Sequence, residues 1–353
     1  MFRKITGSLL LASLSTASFA QDSAAAVTEA TPLNISGFVD AYYKYDFGKD
    51  PSNNRTSFTS AYNNFALGMA SVKFDKSFGK VGFVADLGFG ERAKQFSYND
   101  DGISAAIKQL YVTYSPVENL KLTLGSWATH VGYELVDAPG NRNYSMSYMF
   151  SYGPFFHTGL KAEYAFGKSS VMVGIANPTD YKYSSEPPRM FLAQFATATK
   201  NDKLKAYLNF VGGKSTDSTR SNQLDLVVLG TITDKFSIGY NGTVNSSSYK
   251  VNGKFSDGKA WWGSALYLNV DPMPKFGMTL RAEYFDDKNE LTAAGLMAGS
   301  VFETTLSGNI KIGPLTIIPE LRMDSGKEEV FVKSDGAATK TAFNALVAAV
   351  FSF

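Results

Sequence analysis

Hydrophobic and polar residues alternate with a period of two along most of the chain, first between Leu33 and Phe47. Such alternation places successive side chains on opposite faces of an extended strand. Sixteen runs of this kind begin near Leu33, Asn64, Val81, Ile107, Leu120, His157, Ser170, Arg189, Leu204, Ser221, Phe236, Ala260, Phe276, Val301, Leu315 and Thr341. Amphipathic segments of helical length and spacing are missing, so the pattern predicts an all-β fold.

The links between these runs alternate between short and long. Seven short links, rich in turn-forming residues, lie at 76–80, 115–119, 167–169, 199–203, 233–235, 271–275 and 313–314. Eight longer links lie at 48–61, 92–106, 133–156, 178–188, 212–220, 246–259, 286–300 and 325–340. This alternation is typical of an antiparallel up-and-down meander in which short turns join the strands at one end and long loops join them at the other. Transmembrane β-barrels share the asymmetry.

The number of strands decides which face meets water. A soluble barrel of sixteen strands would enclose a lumen too wide for side chains to fill, whereas a membrane barrel of that size leaves an aqueous channel. Open sheet edges are not tolerated in lipid, so the first and last strands must pair. We therefore predict a single closed up-and-down antiparallel transmembrane β-barrel, with 16 strands expected and 14 or 18 strands as alternatives. Its apolar side chains would face lipid, and its polar side chains the lumen.

The first residues have the features of an export signal. Arg3 and Lys4 precede an apolar stretch, and the small residues Ser18 and Ala20 fit a cleavage site. The expected organisation is a signal peptide over 1–20, a flexible leader over 21–32 and an outer-membrane barrel over 33–353.

Composition excludes several other functions. The absence of Cys removes disulfide scaffolds, zinc-thiolate sites and cysteine nucleophiles. Without Arg3 and Lys4, 32 basic residues balance 32 acidic ones, so charge does not indicate a nucleic-acid partner. The two histidines are His130 and His157, and Ser126 would lie about 13 Å from His130 along one strand, too far to bond. We expect no enzymatic activity, no cofactor and no metal site.

Four segments resemble the OmpL-like β-barrel porin family of outer-membrane proteins: Ile35–Phe47, Ile107–Pro116, Asn119–Tyr133 and Ser147–Tyr164. The resemblance extends to about Asn177 and thins beyond it to general barrel features. It implies an outer-membrane location and a barrel architecture, but it adds little about the transported solute. The last strand, ending in Phe351 and Phe353, is similar to the C-terminal signal recognised by barrel-assembly machinery, which would then be a partner.

The strand phase predicts which charged side chains line the pore. The inward set is Asp40, Lys44, Asp86, Lys161, Glu163, Lys205, Asp225, Arg281, Glu283, Glu320, Arg322 and Asp324. Both signs occur, which favours weak discrimination among small hydrophilic solutes. The alternative is that many of these charges simply pair along the wall. The phase is open near residues 64, 189, 260 and 301, where a bulge would shift the register.

The longest link, 133–156, is the third long loop, and the similarity to porins implies that it folds inward and narrows the lumen. Its candidate constriction residues are Glu134, Asp137, Arg142, Tyr144, Tyr148 and Tyr152. The tyrosines suggest a second hypothesis, an aromatic track on which sugar rings stack. The predicted function is a porin in the bacterial outer membrane that passes small hydrophilic solutes by diffusion. The alternatives are a saccharide-preferring channel and a non-conducting structural or adhesive barrel, and a homo-oligomer is compatible with each.

Overall fold

The computed structural model describes residues 32–187 and 189–353, so the predicted signal peptide and nearly all of the leader lie outside the described residues. The barrel strands are β1 Asn34–Asp46, β2 Asn64–Phe78, β3 Val81–Phe89, β4 Ile107–Val117, β5 Leu120–Ala128, β6 Phe156–Phe166, β7 Ser169–Ala176, β8 Met190–Ala198, β9 Leu204–Lys214, β10 Thr219–Thr233, β11 Phe236–Val251, β12 Lys259–Met273, β13 Phe276–Asp286, β14 Ser300–Ile312, β15 Leu315–Gly326 and β16 Thr341–Ser352. These strands confirm the predicted all-β fold.

Each strand pairs antiparallel with its neighbours in sequence, and β1 also pairs with β16. In that closing pair Val39 lies opposite Phe351 and Tyr43 lies opposite Val347. Among the described residues the barrel sheet therefore has no open edge, as lipid requires. The prediction of a closed barrel of sixteen strands is confirmed.

Alternate residues face out of the barrel and into it. The outward residues Val39 and Val347 are 49% and 51% exposed, whereas the inward residue Asp40 is 6% exposed. A bulge interrupts the pairing of β1 with β2, because the step from Val39 to Ala41 lies opposite the longer step from Ala70 to Leu67. The extra residue falls in the run that begins near residue 64, one of the four regions where the sequence left the phase open. The apolar face is therefore outside and the charged face inside.

Two-residue turns join most strands at one rim. In the turns that begin with Gly167 and Gly313, those glycines have φ of 58° and 59°, a conformation that side chains disfavour. The links at this rim are 79–80, 118–119, 167–168, 199–203, 234–235, 274–275 and 313–314. They are called the short turns below.

Eight loops lie at the other rim, and this rim and its loops are called the outer rim and the outer loops below. Loops L1 to L8 comprise residues 47–63, 90–106, 129–155, 177–189, 215–218, 252–258, 287–299 and 327–340. The prediction of a long fifth link at 212–220 is wrong, because β9 and β10 continue to pair as far as Lys214 and Arg220 and leave four residues between strands. Gly212 of β9 pairs with Asn222 of β10, although this part of the two strands lacks the alternation of apolar and polar residues seen in the rest of their length.

Short elements occur within these loops. There are α-helices at Glu91–Phe96 and Tyr148–Ser151, 3₁₀ turns at Pro51–Asn53, Gly102–Ala106 and Ala138–Gly140, and two-residue strands at Lys254–Phe255, Phe331–Val332 and Ala338–Thr339. Within residues 32–187 and 189–353, no helix has both the length and the apolar character to cross a membrane.

Candidate functional site

Loop L3 contacts inward-facing residues on widely separated strands. The amide of Gly132 donates to Asp225 on β10 at 3.0 Å, and the amide of Tyr144 donates to Glu320 on β15 at 2.8 Å. Arg142 forms two bonds with Asp271 on β12, at 2.8 and 3.0 Å. The loop therefore leaves β5, crosses the interior to the opposite wall and returns to β6.

Arg281, on β13, is the central charged residue beneath L3. Its guanidinium donates to Glu134 of L3 at 2.6 Å, to the Ser145 carbonyl at 2.7 Å and to Glu303 of β14 at 2.9 Å. The side chains of Arg281 and Glu303 are fully buried. Removing two charges from water is costly unless the geometry and the remaining hydrogen bonds offset the penalty. Two of the hydrogen bonds that offset the penalty, to Glu134 and to the Ser145 carbonyl, exist only while L3 lies against the wall.

Carboxylates on the wall also bind the L3 backbone. Glu283 accepts from the amides of Tyr148 and Met149, each at 2.7 Å, at the start of the short helix Tyr148–Ser151. Ser147 caps the same helix by accepting from the Phe150 amide. The first amides of a helix have no partner within the helix, so an acceptor placed there fixes its position. Glu283 therefore holds one defined segment of L3 against β13.

The opposite edge of L3 is held by β1 and β15. Arg322 donates to the Met146 carbonyl at 2.7 Å and pairs with Asp324 at 2.8 Å. The Tyr144 hydroxyl donates to Asp40, which also accepts from the Met69 amide. L3 is thus attached along both sides of the interior.

All twelve predicted pore-lining residues lie on the inward face. Nine of them are buried: Asp40, Lys44, Asp86, Asp225, Arg281, Glu283, Glu320, Arg322 and Asp324. Lys161, Glu163 and Lys205 are partly exposed. Lys161 and Lys121 both contact Glu163, at 3.5 and 3.1 Å. Alternation identifies the inward face but not what covers it, so contact of these side chains with permeating solutes stays a prediction.

The six predicted constriction residues lie in L3, and all make wall or loop contacts. Asp137 pairs with Lys108 of β4 at 2.6 Å, and the Tyr152 hydroxyl donates to the Arg55 carbonyl at 2.6 Å. Tyr144 is fully buried, and the buried Tyr148 ring stacks on Phe285. The sugar-track hypothesis is not supported at these two tyrosines, because neither presents a free ring face.

Some residues that hold L3 were not identified from the sequence. Glu303 lies in the run near Val301, whose phase was open, yet its alternation with the outward residue Phe302 indicates the inward face. Lys108 is inward because a register shift follows Asp86 in the pairing of β3 with β4. Arg92 packs against the Tyr144 ring from a loop helix, a contact with no periodic signal.

The two histidines lie near the point where L3 leaves the barrel. Their ring centroids are 5.3 Å apart. His130 bonds to the Phe210 carbonyl at 3.2 Å, and His157 bonds to the Thr129 hydroxyl at 3.0 Å. Within the described parts of the chain, no three His, Cys, Asp or Glu side chains are grouped to hold a metal.

Asp180 of L4 joins three loops at the outer rim. Its carboxylate accepts from the Phe155 and Phe156 amides, at 2.7 and 2.9 Å, and from the Tyr98 hydroxyl at 3.1 Å. Burial raises the pKa of Asp180 to about 7. Lys182 bonds to Asp100 nearby, at 2.7 Å. The junction ties the end of L3 to L2 and L4.

This raised pKa predicts a pH-dependent junction. A docked Asp180 retains its proton at pH values where an undocked one, with a pKa near 3.8, has lost it. Docking is therefore strongest below pH 3.8 and weakens as the pH rises to about 7. We expect the amides of Phe155 and Phe156 to lose hydrogen-exchange protection over that range, after correction for intrinsic exchange. Asp180→Asn should remove the dependence, and an identical pH profile in this variant would contradict the assignment.

A family model described as "Putative beta-barrel porin-2, OmpL-like" matches residues 32–353. No curated protein matches the chain. Among solved structures, the outer membrane channel DcaP of Acinetobacter baumannii is 13% identical with a TM-score of 0.61, over 91% of this chain and 97% of that chain. An anion-selective porin from Comamonas acidovorans is 12% identical with a TM-score of 0.61, over 92% and 100%. OmpT of Vibrio cholerae is 11% identical with a TM-score of 0.59, over 91% and 97%.

Proposed function

Because the chain belongs to the OmpL-like β-barrel porin family, it is a porin of the bacterial outer membrane, and we propose that small hydrophilic solutes diffuse passively through a lumen narrowed by L3. The course of L3 supports this narrowing, since the loop bonds to β10, β12, β13 and β15 and fills space between them. A loop that crosses the lumen leaves room only for small solutes.

The same contacts favour a second candidate, a barrel that does not conduct. Every barrel strand contributes at least one inward side chain that is buried, including Lys108 on β4, Leu192 on β8 and Leu346 on β16. In this candidate the outer loops would carry the function. The diffusion channel agrees better with the porin family, and the two candidates differ in a direct measurement.

We expect liposomes containing the purified protein to swell in isosmotic solutions of small sugars and amino acids. The rate should fall steadily as solute size increases, because L3 limits the width of the path. Liposomes without protein serve as the control. No swelling with any solute would favour the non-conducting barrel, and a rate that saturates for one sugar class would favour the saccharide-preferring channel.

Several partners belong to the proposal. Phe351 and Phe353 lie at the end of the closing strand and are exposed, which suits both lipid contact and recognition by barrel-assembly machinery. Homo-oligomerisation is supported by a solved trimer form of OmpT of Vibrio cholerae, which matches over 91% of this chain with 12% identity and a TM-score of 0.57. We propose that the chain has no catalytic role, since the histidines bond to a backbone carbonyl and a threonine hydroxyl.

A further inference from the structure

The short-turn rim of the barrel is rich in lysine. The seven turns hold six lysines and the three acidic residues Glu118, Asp202 and Asp234. These turns therefore have an excess of three positive charges. Loops L1 to L8 at the other rim hold 12 basic and 15 acidic residues, an excess of three negative charges. The two mouths of the barrel thus carry opposite net charge although the whole chain is nearly neutral.

The lysines occupy a repeated position at the turns. Five of the seven turns end in a lysine directly before the next strand: Lys80, Lys168, Lys203, Lys235 and Lys275. All five are exposed. A turn needs only residues that suit its backbone, and Gly, Asn and Asp serve that purpose better than Lys. The repetition therefore calls for an explanation other than turn geometry.

Strand alternation places these lysines on the lumen side. Leu204 faces outward and is 47% exposed, so its neighbours Lys203 and Lys205 fall on the inward face. Lys311 likewise lies between the outward residues Ile310 and Ile312. Each of the other four lysines that end a turn also lies an even number of positions from the inward-facing residues of the strand that follows it. The lysines thus surround the opening rather than face the lipid.

Acidic side chains deeper in the barrel are screened from the path. Glu283 and Glu320 each accept backbone amides of L3, and those amide dipoles oppose the field of the carboxylates. At the mouth, Asp202 pairs with Lys168 at 2.8 Å, but both groups remain about half exposed. An ion approaching from this side therefore meets mainly solvated positive charge.

We propose that this lysine ring makes the channel prefer small anionic solutes, such as carboxylates and inorganic phosphate, through the field at the short-turn mouth. The inference rests on the proposed diffusion function and specifies its solute class. Rings of charged side chains set ion preference in pores by their local field. Solvated charges act over a Debye length of about 8 Å at physiological salt and about 3 Å at 1 M, so the preference should fade at high salt.

The test is the reversal potential of the purified protein in a planar bilayer under a KCl gradient. The wild-type protein should favour chloride, more strongly near 0.1 M than near 1 M salt. The variant with Lys80, Lys168, Lys203, Lys235 and Lys275 all replaced by Gln should lose this preference or favour potassium. Its barrel should still form, because exposed turn positions contribute little to stability.

The matched control replaces five exposed lysines of the outer loops with Gln: Lys49, Lys254, Lys288, Lys333 and Lys340. It removes the same charge from the other rim and should keep the chloride preference. A conducting wild-type protein that favours potassium, or a turn variant with unchanged reversal potential, would overturn the anion proposal and leave the diffusion function intact. A complete absence of conductance would instead overturn the diffusion function itself.

Discussion

Replacing Arg281 with Met should release L3 from the wall, raise the single-channel conductance and lower the free energy of unfolding by about 3–5 kcal/mol. The methionine fills part of the volume but leaves Glu134 and Glu303 without the guanidinium that pairs with both. An unpaired buried carboxylate can regain water only if L3 moves away. The stability loss and the wider path therefore have one cause.

Conductance in planar bilayers and urea unfolding in lipid vesicles measure the two effects separately. Arg189→Met is the matched control, because Arg189 pairs with Glu186 and Asp217 in the solvent-exposed outer loops. Exposed pairs contribute little to stability. If Arg281→Met prevents folding, Glu283→Gln is the milder variant, because it weakens the two hydrogen bonds that residue 283 accepts from L3 amides. A folded variant with unchanged conductance would show that L3 does not limit the path.

Leu226→Arg should cost roughly 2–4 kcal/mol of unfolding free energy, as for a cationic side chain at the bilayer midplane. Leu226 faces outward near the middle of β10, opposite Leu208 of β9. The matched control is Leu204→Arg, because Leu204 is equally apolar and outward but begins β9 at the short-turn rim, where the cost falls to about 0–1 kcal/mol. Urea titration in vesicles compares the two. Equal costs would contradict the lipid-facing assignment of the outer wall.

The sequence predicted the barrel well because its signals are local. Period-two alternation assigns each residue to a face, and turn residues mark where strands end, so the sixteen runs begin within about two residues of the strands. The prediction failed at 212–220, where Gly212 and Asn222 continue the ladder without an apolar face. Where strands extend beyond the membrane, backbone hydrogen bonds alone can hold them together. Such bonds leave no alternation of apolar and polar residues in the sequence from which they could be predicted.

The interior was predicted less completely because its contacts are long-range. Alternation placed Glu283 and Glu320 inward, but the L3 amides that they bind lie more than 100 residues away in sequence. Likewise, the burial of Tyr144 depends on Asp40 and Arg92, which come from a strand and a loop helix. Periodicity specifies which face a side chain occupies, whereas tertiary packing decides whether water reaches it.

The pairing of β1 with β16 determines when the barrel can be completed. Val39 of β1 lies opposite Phe351 of β16, so β1 cannot form hydrogen bonds along both of its edges until the last strand is present. Contacts so distant in sequence form slowly, because a long segment must be ordered before they contribute. Until that pairing forms, one edge of β1 and one edge of β16 stay unpaired, and unpaired strand edges are sites of aggregation, so the closing pair protects the sheet only once the whole chain has been ordered.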